Sequence, residues 1–330
     1  MNAPEVSVVM PVFNAAPFIR EAVESVLGQT LRNFELIIID DGSTDESWRI
    51  IQSIRDERIH SFQNEKNLGA GKTKNRGIEN ARGEFIAFLD ADDIAMPERL
   101  ETQAAFLKAR SEIDLVATAS DVISSDRIVL NCPLREEMDP VRLKTGLLFD
   151  NPIIQSSVML RRASLKGAAF RSEYEPAEDY DLWVRLSQSA RMVILAGVLV
   201  HYRSHAHGIS SRRRGQMRDV VLKIVREQLG RLQLLPSDEQ LQMHVDFQSG
   251  MTPAMESLPQ TETWLKTICE ANERHQIYDP IVLEKIIHER WTAFSGAAER
   301  IQRGRAPWRR FARGLRNLLL PAKSNVENNV

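Results

Sequence analysis

Two short apolar runs in this 330-residue chain end in clusters of aspartate. Phe34 to Ile39 leads into Asp40-Asp41-Gly42-Ser43-Thr44-Asp45, and Phe85 to Leu89 leads into Asp90-Ala91-Asp92-Asp93. If Asp40, Asp41, Asp90, Asp92 and Asp93 share one place without compensation, each raises the pKa of the others at an electrostatic cost. A divalent cation removes that cost. Hard Mg²⁺ or Mn²⁺ suits carboxylate oxygens, takes only one or two of them, and leaves its other positions to water and substrate phosphates. The bound species expected at such a site is a nucleotide diphosphate. Each cluster also has a local reading, because Asp-Asp-Gly-Ser is good turn chemistry and Asp93 could cap a helix. The chain has no G-x-G-x-x-G after its first apolar run and no G-x-x-x-x-G-K-[ST], which disfavours dinucleotide and P-loop sites.

The elements around these clusters alternate. Val6 to Val12 reads as a strand, and after Asn14 the residues Phe18, Ile19, Ala22, Val23, Val26 and Leu27 recur at helical spacing. A helix with Trp48, Ile51 and Ile54 follows the first acidic cluster. Ile59 to Phe62 leads through Asn67-Leu68-Gly69 into a helix ending near Gly83, and another helix starts near Pro97 after the second cluster. Strands alternating with helices imply a doubly wound, mostly parallel sheet flanked by helices, with ligands outside the carboxyl ends of the strands. Burial on both faces explains why the runs are continuously apolar. Shorter runs at Leu115 to Thr118, Ser157 to Leu160 and Met192 to Ala196, with a helix from Tyr180 to Ser189, are expected to complete the sheet. Beyond Ser211-Arg212-Arg213-Arg214 the pattern turns helical, near Gln216 to Leu232, Asp238 to Phe247, Thr263 to Asn272 and Ile281 to Ser295. The expected organisation is therefore 1–211 for the nucleotide-binding, catalytic domain and 212–330 for a helical C-terminal region.

Composition narrows the class. With 43% hydrophobic and 27% charged residues the chain can bury a full core, and a net charge of −2 gives no overall field for nucleic acid. Cys132 and Cys269 have neither metal nor redox spacing, so a reduced, cytoplasmic protein without disulfides is expected. There is no signal-type N-terminus and no run of 18 apolar residues. Residues 324–330 read as disordered.

The motifs, in order and spacing, resemble the family 2 inverting glycosyltransferases of GT-A fold over roughly Val6 to Ser211. They are Val8-Val9-Met10-Pro11-Val12-Phe13-Asn14, Ile38-Ile39-Asp40-Asp41-Gly42-Ser43-Thr44-Asp45, Asn67-Leu68-Gly69 with Asn75-Arg76-Gly77, and Leu89-Asp90-Ala91-Asp92-Asp93. The resemblance implies that Asp41 binds the nucleobase, that Asp92 is the principal metal ligand, and that Asp90 contacts the ribose or the metal's water shell. It places Pro11, Phe13, Asn14 and Ala91 against the nucleotide sugar and Lys72 and Arg76 near the nucleotide. Glu178-Asp179-Tyr180-Asp181-Leu182-Trp183 resembles the family's E-D-x-D-x-W segment, which makes Asp179 the catalytic base. An acidic helix N-terminus stabilised by the macrodipole would account for Glu178 and Asp181 equally. His201-Tyr202-Arg203-Ser204-His205, then Gly208-Ile209-Ser210, resembles the closing Y-R-x-H segment, in which His205 reaches the metal or diphosphate; a structural histidine is the alternative. Gln155-Ser156-Ser157 falls on the acceptor side, or is simply a polar strand start. The cofactor implied is Mn²⁺ or Mg²⁺. UDP is the commonest donor nucleotide of the family, and a glycan or lipid-linked acceptor of bacterial surface polysaccharide assembly is implied by association with it.

Arg303, Arg305, Arg309, Arg310, Arg313 and Arg316 interleave with Trp308, Phe311, Leu315, Leu318 and Leu319 at helical spacing. This basic amphipathic stretch, 303–320, suits either an anionic membrane surface on the inner face of the cell membrane or packing on the protein's own core. The helical region could also form a homodimer interface. Two rival functions are a sugar nucleotidylyltransferase and a non-catalytic nucleotide-sugar-binding protein. The first wants a Gly-rich, Arg/Lys-bearing loop where Asn14-Ala15-Ala16-Pro17 stands. The second predicts loss of the metal or base carboxylate, and both are present.

Overall fold

The strand β1 (Val6–Val12) lies between β2 (Phe34–Asp40) and β4 (Phe85–Phe88), parallel to both, and β3 (Ile59–Gln63) continues the parallel run beyond β2. In this computed structural model, residues 3–131, 136–205, 208, 213–248 and 255–302 are described. Helices α1 (Ile19–Leu27), α2 (Ser47–Ser53) and α3 (Ala70–Glu79) are the crossovers between these strands. The sheet continues with β5 (Ile94–Ala95), α4 (Arg99–Ala109), β6 (Leu115–Ile123), β7 (Val129–Asn131), α5 (Pro140–Gly146), β8 (Met159–Arg161), α6 (Glu178–Leu186) and β9 (Met192–Arg203). Its strand order is β3-β2-β1-β4-β8-β6-β9-β5, with β7 on the edge of β6. From β4 onward the sheet is mixed: β8 is antiparallel to β4 and β6, while β9 runs parallel to β6.

The continuous apolar runs are explained by two cores. Val6, Val8, Met10 and Val12 pack with α1, α2 and α4 on one face, while Val9, Ile37 and Ile39 pack with α6 and Phe170 on the other. Helix α3 closes onto that second face at Gly77, where a Cβ would lie 2.4 Å from Val9 Cγ1. A third core joins Leu148 and Phe149 to α7 (Arg214–Arg231), α8 (Asp238–Gln248), α9 (Leu258–His275) and α10 (Pro280–Gln302). The α/β sheet flanked by helices, followed by a helical C-terminal region, is the architecture expected.

Some element limits differ. The strand read as Met192 to Ala196 runs to Arg203, because a register shift against β6 between Thr118 and Ser120 absorbs the Ala196-Gly197 interruption. Gln155–Ser157 is a 3-10 turn before β8 rather than its start. The boundary residues 209–212, Cys132, the stretch 303–320 and the tail 324–330 lie outside the described residues. Among the described residues no helix is long and apolar enough to cross a membrane.

Candidate active site

At the carboxyl end of β2 the two aspartates part. Asp40 is fully buried, and its Oδ2 accepts from the Ser43 N–H (3.1 Å) and from Gln63 Nε2 (3.0 Å). Asp45 accepts from the Ala16 N–H at 3.0 Å and the Ser47 N–H at 2.9 Å. These two hold the turn, the local role that Asp-Asp-Gly-Ser favours. Asp41, 3% exposed, accepts at Oδ1 from Asn64 Nδ2 (2.8 Å) and the Leu68 N–H (2.9 Å), and at Oδ2 from the Gly69 N–H (3.0 Å). The Asn67-Leu68-Gly69 motif thus orients Asp41 through backbone donors. The Arg76 guanidinium donates to Asn64 Oδ1 and lies over the Phe62 ring at 5.5 Å, so Asn64 links Arg76 to Asp41. Asn14, with φ of 51°, accepts from the Thr44 N–H at 2.8 Å and joins the loops after β1 and β2. The Phe13 side chain beside it is exposed, and Pro11 is half-buried within β1.

The Asp90-Ala91-Asp92-Asp93 turn is fixed from below and from the side. The Asp90 N–H donates to Ser156 Oγ at 3.0 Å, and Ala91 is buried. Asp93 accepts at Oδ1 from the Arg203 N–H at 2.8 Å, while its buried Oδ2 has no hydrogen-bond partner among the described residues. Arg203 itself is buried. Its guanidinium donates to the Asp92 carbonyl at 2.7 Å, to Glu21 Oε2 at 2.7 Å and to the Ser125 carbonyl at 2.8 Å. This brings the end of β9 onto the turn, and His205 Nε2 comes to 2.8 Å from Asp92 Oδ2. Burial pushes Asp90 up to about 6, with Lys74 opposing and Asp92 adding to the rise; burial and the Asp92 and Asp90 charges drive Asp93 well above the usual carboxylate range. The excess of buried negative charge is the condition a cation would relieve. Asp92 and His205 offer one oxygen and one nitrogen; the carboxylate would suit Mn²⁺ or Mg²⁺, and the imidazole nitrogen would suit Mn²⁺ better than the oxygen-seeking Mg²⁺. Among the described residues no group of three or more His, Cys, Asp or Glu is arranged to enclose a metal.

On the far side stands α6. Asp179, in its first turn, accepts at Oδ1 from the Tyr180 N–H (2.7 Å) and at Oδ2 from Asn151 Nδ2 (3.3 Å). Burial first, then the Glu178 charge, pushes Asp179 up to about 6 against the pull of Lys74. Such a value suits a group that must take a proton near neutral pH. Glu178 is buried and accepts from Lys74 Nζ at 2.6 Å; Lys74 also donates to Gln155 Oε1 at 3.1 Å and lies over the Phe170 ring at 4.8 Å. Burial pulls the Lys74 pKa down, yet Glu178, Asp90 and Asp179 together hold it above the ordinary lysine value. Lys74 is thus the cation at the centre of the carboxylates. Lys72 is exposed, with no side-chain partner among the described residues.

Sequence reasoning named Lys72 and Arg76 and passed over Lys74 between them. A signal existed: Gly71, Lys74 and Gly77, three apart, form one face of α3, and small residues on both sides mark a close-packed stripe. Gln155, Ser156 and Ser157 are buried and support the site from beneath, through Lys74, the Asp90 N–H and the Thr118 N–H. Asp181 is tied to Arg171 and Arg185. Asn151 gave no recognisable sequence signal.

The sequence model described as glycosyl transferase family 2 matches residues 7–164. An uncharacterized glycosyltransferase of Methanocaldococcus jannaschii is 32% identical over 62% of this chain and 72% of its own. UDP-Glc:alpha-D-GlcNAc-diphosphoundecaprenol beta-1,3-glucosyltransferase WfaP of Escherichia coli is also 32% identical, over 62% of this chain and 80% of its own. Among solved structures, S. aureus TarS in complex with UDP superimposes with a TM-score of 0.58 at 21% identity, covering 91% of this chain and 92% of that one. A mannosyltransferase from Pyrobaculum calidifontis, in complex with GDP-Man and Mn²⁺, has a TM-score of 0.56 at 15% identity, over 96% of this chain and 86% of the other. At these identities the two structures speak for the shared GT-A fold.

Proposed function

The chain belongs to glycosyl transferase family 2, and from that premise we propose that it is an inverting enzyme. It moves a sugar from a nucleoside diphosphate, UDP, to a hydroxyl of a glycan or lipid-linked acceptor. The observation that carries this reading is the joint arrangement at one sheet edge: the Asp92–His205 pair, and Asp179 with its raised pKa, with Lys74 acting on both Asp90 and Asp179.

Asp41 receives the nucleobase. Three N–H groups already occupy its carboxylate. One acceptor direction remains on Oδ2, which matches the single imide N–H of uracil better than the paired donors of guanine. Phe13, Pro11 and Asn14 line the base and ribose, Lys72 and Arg76 flank the nucleotide, and Asp90 and Ala91 face the ribose. Asp92 and His205 would hold the divalent cation, Mn²⁺ or Mg²⁺, and when bound it would supply charge stabilisation for the leaving diphosphate. Asp179 takes the proton of the acceptor hydroxyl as that oxygen bonds to the anomeric carbon and the bond from carbon to the diphosphate oxygen breaks. One displacement inverts the anomeric centre.

Residues 1–211 form the catalytic domain in this reading, and 212–330 the helical region. The similarity to WfaP, a glucosyltransferase acting on a diphosphoundecaprenol-linked sugar, supports an acceptor of bacterial surface polysaccharide synthesis and work at the inner face of the membrane. The stretch 303–320 then meets anionic lipid, which sedimentation with liposomes of the full chain and of a chain cut before Arg303 tests; equal binding sinks the membrane role.

The deciding experiment is a panel of nucleotide sugars with Mn²⁺, with Mg²⁺ and with chelator, applied to the wild type, Asp92→Ala and Asp179→Asn. One donor bound and slowly hydrolysed only with metal, binding lost in Asp92→Ala, and binding kept but turnover lost in Asp179→Asn would support every role together. Absence of binding to any nucleotide sugar would overturn the reading.

A further inference from the structure

Between α5 and the 3-10 turn at Gln155–Ser157 the chain follows an irregular path whose backbone is fastened by the helical region. Gln228 Nε2, on α7, donates to the Leu147 carbonyl at 3.0 Å. His244, on α8, accepts at Nδ1 from Trp264 Nε1 at 3.3 Å, so its Nε2–H is the donor that meets the Leu148 carbonyl at 2.9 Å. Arg290, on α10, stands 3.6 Å from Asp150. From the catalytic side, the Tyr180 hydroxyl donates to the same Leu147 carbonyl at 2.6 Å. The next residue is Asn151. Its Oδ1 accepts from the Ile153 N–H at 3.2 Å, which fixes the orientation of the amide and turns Nδ2 toward Asp179 Oδ2, 3.3 Å away.

We propose that Asn151 is a positioning residue for Asp179, aiming the carboxylate at the acceptor hydroxyl from a backbone tract that the helical region holds in place. The proposal rests on Asp179 being the base. With the Tyr180 N–H on Oδ1 and Asn151 on Oδ2, both oxygens are restrained, and Oδ2 keeps a second lone pair with which to take a proton. A donor 3.3 Å from the carboxylate in the free enzyme tightens in the reacting complex. The charged groups that act on Asp179 are Glu178 on α6, Lys74 on α3 and Asp90 beyond β4. Removing a neutral donor from the carboxylate disfavours its charged form without altering any of them.

The test measures hydrolysis of UDP-glucose and UDP-N-acetylglucosamine with Mn²⁺ against pH, UDP affinity by calorimetry, and thermal unfolding, in wild type, Asp179→Asn, Asn151→Asp and Asn151→Ala. Asn151→Asp keeps the oxygen that accepts from Ile153 but sets a second carboxylate beside Asp179, so its shift includes like-charge repulsion; Asn151→Ala removes the donor without adding charge and is the variant that decides. The expected result is a kcat about tenfold lower at neutral pH, an acid limb moved up by about one pH unit, and donor KM and UDP affinity within about twofold of wild type, with Asn151→Ala moving in the same direction. Wild-type kcat and pH profile in both variants, or a loss in KM or UDP affinity with kcat intact, overturns the proposal. If Asp179→Asn is inactive while the Asn151 variants match wild type, only this proposal falls; if Asp179→Asn turns over like wild type, the base assignment falls with it.

Discussion

Lys74 Nζ lies 2.6 Å from Glu178 Oε1, a buried ion pair that joins α3 to α6 across 104 residues of sequence. The side chains are 6% and 7% exposed, so neither charge has water to fall back on if its partner is lost. The same ammonium opposes the rise in the pKa of Asp90 and of Asp179, which makes one lysine a support for both carboxylates.

Lys74→Met is therefore expected to destabilise the protein by about 3–5 kcal/mol, the range for breaking a buried pair from one side. Adding Glu178→Gln to that variant should recover a large part of the loss. Urea unfolding of the two single variants and the double variant measures the coupling, and purely additive losses would show that the pair does not act as one.

Turnover should depend on the ionisation of Asp179. A base works deprotonated, and burial with Glu178 raises this carboxyl to about 6. Activity is then full well above that value and falls as the pH drops through about 6, a limb that an ordinary exposed aspartate would place about two units lower. The kcat profile from pH 4.5 to 8 checks it. A profile flat down to pH 4.5 would separate Asp179 from the proton transfer.

Asp92→Ala should remove metal-dependent UDP binding, by at least about tenfold, and leave the melting temperature nearly unchanged, because this side chain is 29% exposed and serves no core. His205→Ala should weaken the same binding less, since the carboxylate remains. Calorimetric titration with UDP at fixed Mn²⁺ reads both. Equal affinity with and without Mn²⁺ in the wild type would remove the metal from the site.

Gly77→Ala tests the packing that seats α3. Its Cβ would fall 2.4 Å from Val9 Cγ1, on the buried strand β1, so the Val9 side chain or α3 must shift. A loss of about 1–3 kcal/mol is expected, typical of overpacking. Where α3 gives way, Lys74 moves with it, and kcat should fall as well. Unfolding at the wild-type midpoint would mean that the helix and strand yield without cost.

The amino-acid sequence by itself determined the alternation of strands and helices, the edge of the sheet at which the acidic clusters gather, and the motifs that carry Asp41, Asp92 and Asp179. These features are local. An apolar run of strand length or a helical stripe reports its own burial, and a parallel β-α-β unit must bring the ends of β2 and β4 to the same edge. Only the tertiary structure decided how the carboxylates divide their work. Asp40 and Asp45 turn inward to backbone donors, while Asp92 meets His205 across 113 residues. It likewise placed Lys74 among the carboxylates and put Asn151 against Asp179. A sequence states which face of a helix a side chain occupies, but its partner is fixed by how that face packs on elements far along the chain. The charge of a buried lysine and the aim of a carboxylate follow from those long-range contacts, whose spacing no local pattern encodes.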